Sequence, residues 1–159
     1  MKYTRLTKEQ FDELHQEFAR FLASQSITAD EWGKIKQEKP EMAEDELDVF
    51  SDLIWEGTLS NVSYLENWSA HQVYLFYFGE SHIELISVKT TNQEIDLTTQ
   101  EGINWLEKNI GEDTVEIYEG NKTYASERNV EIFNFIKQGA IISQGGFYEA
   151  LKKILTNNP

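Results

Sequence analysis

Apolar residues along this chain first recur at helical spacing and then at strand spacing. Phe11, Leu14, Phe18, Phe21 and Leu22 form one helical face that runs to about Ser24. Thr7 and Gln10 read as a capping box at its start, with Leu6 and Phe11 as the hydrophobic staple. The device repeats with Thr28 and Glu31 as box and Ile27 and Trp32 as staple, predicting a short helix that stops before Pro40. A longer helix follows from Glu41 to Gly57, with Gly57 expected as its left-handed C′ residue. On that helix Ala43, Leu47, Phe50 and Ile54 share one line, and Glu41, Asp45, Asp48, Asp52 and Glu56 share the opposite one.

The period then changes. Val73–Phe78 and Ile83–Val88 flank Gly79-Glu80-Ser81 and predict a hairpin. Val62–Trp68 fits either a third strand or more helix, and a short strand is expected at Glu94–Leu97. Thr98 and Glu101 read as another capping box, opening a helix with Ile103, Leu106 and Ile110 inside and Gly111 at its end. Val115–Glu119 alternates as a strand, with a turn expected at Gly120-Asn121 and a return strand to Ala125. Ser126 is the expected cap of a helix bearing Val130, Phe133 and Ile136 and closed by Gly139. A last helix carries Phe147, Leu151 and Ile154 or Leu155.

Helices first, then strands and helices mixed, predict an α+β fold: N-terminal helices followed by a small, mostly antiparallel sheet with helices packed on it. The expected organisation is one domain over residues 1–159, with a helical part at about 7–57 and a mixed part at about 62–156. A chain of 159 residues can bury roughly 70% of its unfolded surface, so no second domain is needed. Val73–Phe78 is apolar on both faces, Val73, Leu75 and Tyr77 on one and Tyr74, Phe76 and Phe78 on the other. Such a strand is either central and covered twice or part of an interface.

Several blocks resemble an uncharacterised bacterial protein family, a domain of unknown function. They are Ile27–Trp32, Lys34-Ile35-Lys36, Glu38–Glu41, Leu47–Gly57, Tyr64–Asn67, Glu94–Thr99, and Arg128-Asn129 with Ile132-Phe133 and Gly139-Ala140. The resemblance covers nearly the whole chain and implies one domain. It implies no activity, cofactor or site residue.

Charge narrows the partner classes. The net charge is −14, and residues 40–88 hold ten acids and no base, so no sequence neighbour neutralises the five-carboxylate column. That field repels nucleic acid and anionic membrane and attracts a basic protein segment. The column Glu41, Asp45, Asp48, Asp52 and Glu56 is therefore the candidate partner-binding site, with a solvated face as the bland alternative. Successive carboxylates on one helix point outward like rungs and do not gather the six or so oxygens that Mg²⁺ or Ca²⁺ needs. No metal site and no cofactor is expected.

Catalytic patterns are lacking. Without cysteine there is no disulfide, thiolate chemistry or Cys-ligated zinc, which fits a reducing cytoplasm. The N-terminus turns polar at once, and the longest apolar run, Val73–Phe78, is far short of a membrane span. His15, His71 and His82 are isolated, and Ser81-His82 are adjacent, which is expected to keep a base from facing its nucleophile. Ser143–Gly146 reads as the lead-in to the last helix. The preferred function is a non-enzymatic acidic domain acting through protein–protein interaction. The alternative is a small-molecule-binding domain or enzyme, with a pocket walled by Trp32, Trp55, Trp68, Trp105, Tyr64, Tyr74 and Tyr77 and acids drawn from Glu66, Glu84, Glu94 and Asp96. A monomer is favoured, and a homodimer is expected to join through the 73–88 hairpin.

Overall fold

The computed structural model describes residues 1–157 and divides the chain into two units, Met1–Ser60 and Asn61–Pro159. In the first unit α1 (Lys8–Glu13), α2 (His15–Ser24), α3 (Ala29–Glu38) and α4 (Pro40–Ser60) follow in order. Both predicted capping boxes are formed, Thr7 with Gln10 and Thr28 with Glu31. The single helix expected to about Ser24 is instead broken at Leu14, whose φ of −103° and ψ of 21° lie off helical values.

Gly57 does not end α4. It lies inside the helix, which runs one turn further to Ser60, and a Cβ placed on it would meet nothing within 4 Å. Phe50, 1% exposed, centres the aromatic cluster of this unit. Its ring lies 5.0 Å from Phe18, 5.4 Å from Phe21 and 5.9 Å from Phe11, and Phe18 meets Trp32 edge-on at 5.3 Å. These spacings are in the favourable range for aromatic pairs.

The second unit is a five-stranded antiparallel sheet with three helices. In chain order it comprises β1 (Tyr64–Trp68), β2 (Gln72–Phe78), β3 (His82–Thr90), α5 (Gln100–Asn109), β4 (Val115–Thr123), α6 (Arg128–Lys137), β5 (Ile141–Ser143) and α7 (Gly146–Asn157). The strand order is β4-β3-β2-β1-β5. Val73–Phe78 is thus central, and the ambiguous 62–68 segment supplies its neighbour β1. Val73, Leu75, Ile86 and Val88 join Leu97, Leu106, Tyr148 and Leu151 in one core cluster, so α5 and α7 cover that face. On the other face Phe76 and Phe78 pack on Phe135 of α6, with centroids 4.5 and 5.9 Å apart.

Four expectations for this unit fail, each for a local reason. Glu94–Leu97 is not a strand but a pair of side-chain-stapled turns: Asn92 Oδ1 accepts from Glu94 N–H, and Asp96 Oδ1 accepts from Thr98 N–H. Such Asx bonds compete with extended pairing. They also consume Thr98, so the cap of α5 is Thr99, whose Oγ accepts from Gly102 N–H at 3.0 Å. Gly120-Asn121 is not a turn, because β3 offers nine residues of partner and β4 pairs with all of them. Ser126 does not cap α6; Glu127 stands at that position, and the buried Glu131 reaches back to the amides of Ala125 (2.6 Å) and Ser126 (3.0 Å). Strand β5 carries no advance signal. It is three residues long and pairs Ile141–Ser143 with Glu66–Tyr64.

Arg128, one of the family-like residues, ties the sheet together. Its guanidinium donates to the carbonyls of Val62, Phe78 and Gly79, joining the approach to β1 with the end of β2. Tyr124 Oη donates to the same Gly79 carbonyl at 2.6 Å.

Phe50→Ala should cost about 3–5 kcal/mol, the range for emptying a buried aromatic site. Gly57→Ala should stabilise by about 0.5–1 kcal/mol, since the site is helical and open. Gly102→Ala should destabilise by about 1–3 kcal/mol, because its Cβ would land on the Asp96 carbonyl. Urea midpoints of the three variants check the assignments, and a destabilising Gly57→Ala would restore the helix end at Gly57.

Candidate functional site

Helix α4 presents three sectors around its axis. The first is the core side of Ala43 and Phe50. The second carries the predicted carboxylates, and the chain's own N-terminal segment lies along it. Asp52 accepts from two successive amides, Lys2 N–H at 2.7 Å and Tyr3 N–H at 2.9 Å. Glu56 accepts from Tyr3 Oη at 2.6 Å and from Lys2 Nζ at 3.2 Å. One turn back, Arg5 donates to Asp48 through Nε at 2.7 Å and also pairs with Glu44. Leu6 N–H is taken by Ser51 Oγ at 3.0 Å.

Three of the five predicted carboxylates, Asp48, Asp52 and Glu56, therefore hold a basic segment. It comes from residues 2–6, too distant in sequence for charge patterning to reveal. Glu41 and Asp45, nearer the start of α4, are exposed and lie outside this clasp.

The third sector is apolar and exposed. Met42, Val49 and Leu53 are 41%, 56% and 57% exposed. At 100° per residue they fall within about 40° of one line. Asp45, Asp52 and Glu56 run along one side of that stripe and Glu46 along the other. The spacing of seven and then four residues was the available signal. It was obscured because the core line and the acid line already accounted for the helix.

In the second unit, Glu84, Glu119, Asn121, Tyr148 and Lys152 line an open cleft of about 240 Å³. Tyr148 Oη donates to Glu84 at 2.8 Å, and Lys152 Nζ lies 3.4 Å from Glu119. Tyr77 stacks on Tyr148 with centroids 6.0 Å apart, Tyr64 meets it at a tilt at 5.7 Å, and Tyr64 Oη donates to Glu149 at 2.6 Å. Gly145, with φ of 81°, packs so closely on the Tyr64 ring that a Cβ would sit 2.5 Å from it. Of the four acids proposed for a pocket, only Glu84 lines this cleft. Glu66 accepts from Trp68 Nε1, Asp96 is held by Thr98, and Glu94 is exposed.

Adjacency does not separate Ser81 from His82. The hairpin turn places Ser81 Oγ 3.3 Å from His82 Nδ1, and His82 Nε2 3.6 Å from Glu84 Oε1. Ser81 lies in the hairpin turn and His82 opens β3, however, and neither is in the wall of the Glu84 cleft. Among the described residues no three His, Asp or Glu side chains gather as metal ligands, and no helix is long and apolar enough to cross a membrane.

The chain belongs to the family of unknown function DUF6495, which matches residues 1–156. No curated protein and no solved structure matches it.

Tyr3, Tyr64, Tyr118 and Tyr148 each donate to a carboxylate, and each is harder to ionise for it. Burial and Glu56 push Tyr3 up to about 12, while the Glu149 bond and burial push Tyr64 up to about 12. Burial and Glu84 raise Tyr148 as well, and the Tyr148 bond in turn lowers Glu84. A raised tyrosine contributes stability that is complete below the unfolded value near 10 and is lost as pH climbs towards 12. Glu84 acts at the other limb, its contribution complete above the ordinary carboxylate value and lost as pH falls below it. Urea midpoints between pH 8 and about 12 should therefore decline, and Tyr3→Phe and Tyr64→Phe should each flatten the decline relative to wild type.

Proposed function

We propose that the protein is a non-enzymatic binding domain that receives a basic, amphipathic protein segment on α4. One observation carries the reading. An exposed apolar stripe, Met42, Val49 and Leu53, runs beside carboxylates whose neighbours already bind lysine, arginine and backbone amides of an attached segment. An apolar line with an acidic border complements a helix with an apolar face and lysine or arginine flanks. Glu41 and Asp45 supply the exposed acidic groups outside the clasp, and Glu46, which accepts from Gln25 Nε2 at 2.8 Å, borders the other side. The lack of cysteine suits a cytoplasmic setting.

The runner-up, a small-molecule site or enzyme, rests on the Glu84 cleft. Its acids are already paired with Tyr148 and Lys152, and ligand pockets generally run about 300–1,000 Å³. The α4 surface has the better support.

Calorimetric titration with a synthetic Leu/Lys amphipathic helical peptide tests the proposal. Binding should weaken with added salt and fall about tenfold or more in Leu53→Lys, with Asp45→Lys next. A peptide of the same apolar pattern with Glu for Lys should not bind. Equal affinity of wild type and Leu53→Lys would overturn the assignment.

A further inference from the structure

The sheet ends on one side in a long strand that nothing covers. From Tyr118 to Thr123 every residue of β4 is exposed. Thr91 N–H donates to Thr114 O, which fixes the alternation of the β3–β4 ladder. Even-numbered residues of β4 point their amides and carbonyls at β3, and Ile117, Glu119, Asn121 and Thr123 point theirs outward. The opposite edge, β5, is only three residues long. Native edges are commonly short, bulged, covered or guarded by charge; β4 is none of the first three, and its guards are Glu116, Glu119 and Lys122.

The face beside that edge carries a matching gap. Phe76, Ile83, Leu85 and Phe135 wall a cavity of about 330 Å³ whose rim is formed by Gly120, Asn121 and Lys122. Gly120 stands directly opposite Leu85, and a Cβ there would meet nothing within 4 Å. Two residues away on the same face, Tyr118 is 57% exposed.

We infer that β4 is a self-association edge, pairing antiparallel with β4 of a second copy about a two-fold axis at Gly120. Outward groups must meet outward groups, so odd residues pair with odd. Centring on Gly120 sets Glu119 against Asn121 of the partner subunit, Ile117 against Thr123 of the partner subunit, and Tyr118 against Lys122 of the partner subunit. The register centred on Glu119 sets that carboxylate against its own copy, and like charges directly opposite destabilise. With Gly120 at the axis, Tyr118 of the partner subunit lies diagonally across from Gly120, within reach of an aromatic side chain. It covers the bare backbone and closes the cavity of Phe76, Ile83, Leu85 and Phe135, as aromatic residues do for edge glycines. On the α7 side of the sheet Lys152 reaches Glu119 at 3.4 Å, while on the side of Phe76, Ile83 and Leu85 the residues Tyr118, Gly120 and Lys122 stay exposed and the approach to the edge is open.

The contact is small, below about 1,200 Å², so association is weak and concentration-dependent. Both copies carry −14, so added salt strengthens it. Peptide binding on α4 has the opposite salt response, so failure of one is distinguishable from failure of the other.

Sedimentation of the full chain over a wide concentration range, at low and high salt, tests the edge. The mass should rise reversibly from one chain towards two, more readily at high salt. Asn121→Pro removes an outward amide without touching the β3 ladder, and Tyr118→Ala removes the cover. Each should raise the dissociation constant about tenfold or more with the far-ultraviolet dichroism unchanged. Amide exchange gives a check on wild type alone: Ile117, Glu119 and Asn121 should gain protection with concentration, while the inward amides of Tyr118 and Lys122 stay constant. A one-chain mass at every concentration overturns the inference. So does a dimer that leaves the three outward amides unprotected.

Discussion

Strand β2 has no polar side, and the organisation of residues 61–157 follows from that. Val73 and Leu75 are fully buried beneath α5 and α7, and Phe76 and Phe78 press on Phe135 of α6. A strand apolar on both faces is stable only where helices lie on both sides of the sheet and where its own edges are paired. Flanking it with β1 and β3 meets the second condition and displaces exposure to β4 and β5. The open edge of β4 is thus what remains after the central strand has been satisfied.

In the first unit the corresponding constraint is electrostatic. Carboxylates four apart on α4 repel, and those near its C-terminal end oppose the helix dipole. Surface ion pairs alone contribute little, typically up to about 1 kcal/mol each. The clasp adds more than charge, because Asp52 and Ser51 also take three backbone amides of residues 2–6, and Tyr3 and Leu6 are buried. The acidic column and the N-terminal segment explain one another. Each supplies the polar partners that the other lacks within its own stretch.

Local signals in the sequence were the reliable ones. The capping boxes at Thr7 and Thr28, the 79–81 hairpin turn and the Gly139 stop, with φ of 105°, are each settled within a few residues. The errors arose where a distant partner or a competing local bond decided the outcome. Gly120-Asn121 has turn composition, yet β3 pairs with it from thirty-odd residues upstream. Thr98 and Thr99 are both plausible caps, and the Asp96 carboxylate decides between them by engaging Thr98. For the candidate site, the carboxylate column was legible from spacing. Neither Lys2 and Arg5 nor the role of Met42, Val49 and Leu53 could be read, since exposure and long-range pairing are properties of the folded chain.

A run of charge in the sequence is not a run of field in the molecule. Residues 40–88 hold ten acids without a base, yet residues 1–60 and 61–159 each carry 14 acids and 7 bases. The excess is shared evenly, and what differs is how each unit disposes of it. The first offsets part of the α4 charge with Lys2 and Arg5, from a segment some fifty residues away in sequence, and leaves an apolar stripe with an acidic border. The second fixes Glu84, Glu149 and Glu131 individually with tyrosine hydroxyls and backbone amides. A carboxylate satisfied by neutral donors keeps its charge, so it still contributes to the long-range field while its local chemistry is occupied. We therefore place the proposed docking of a basic segment on the α4 surface and not on the second unit, although the two carry the same acid excess.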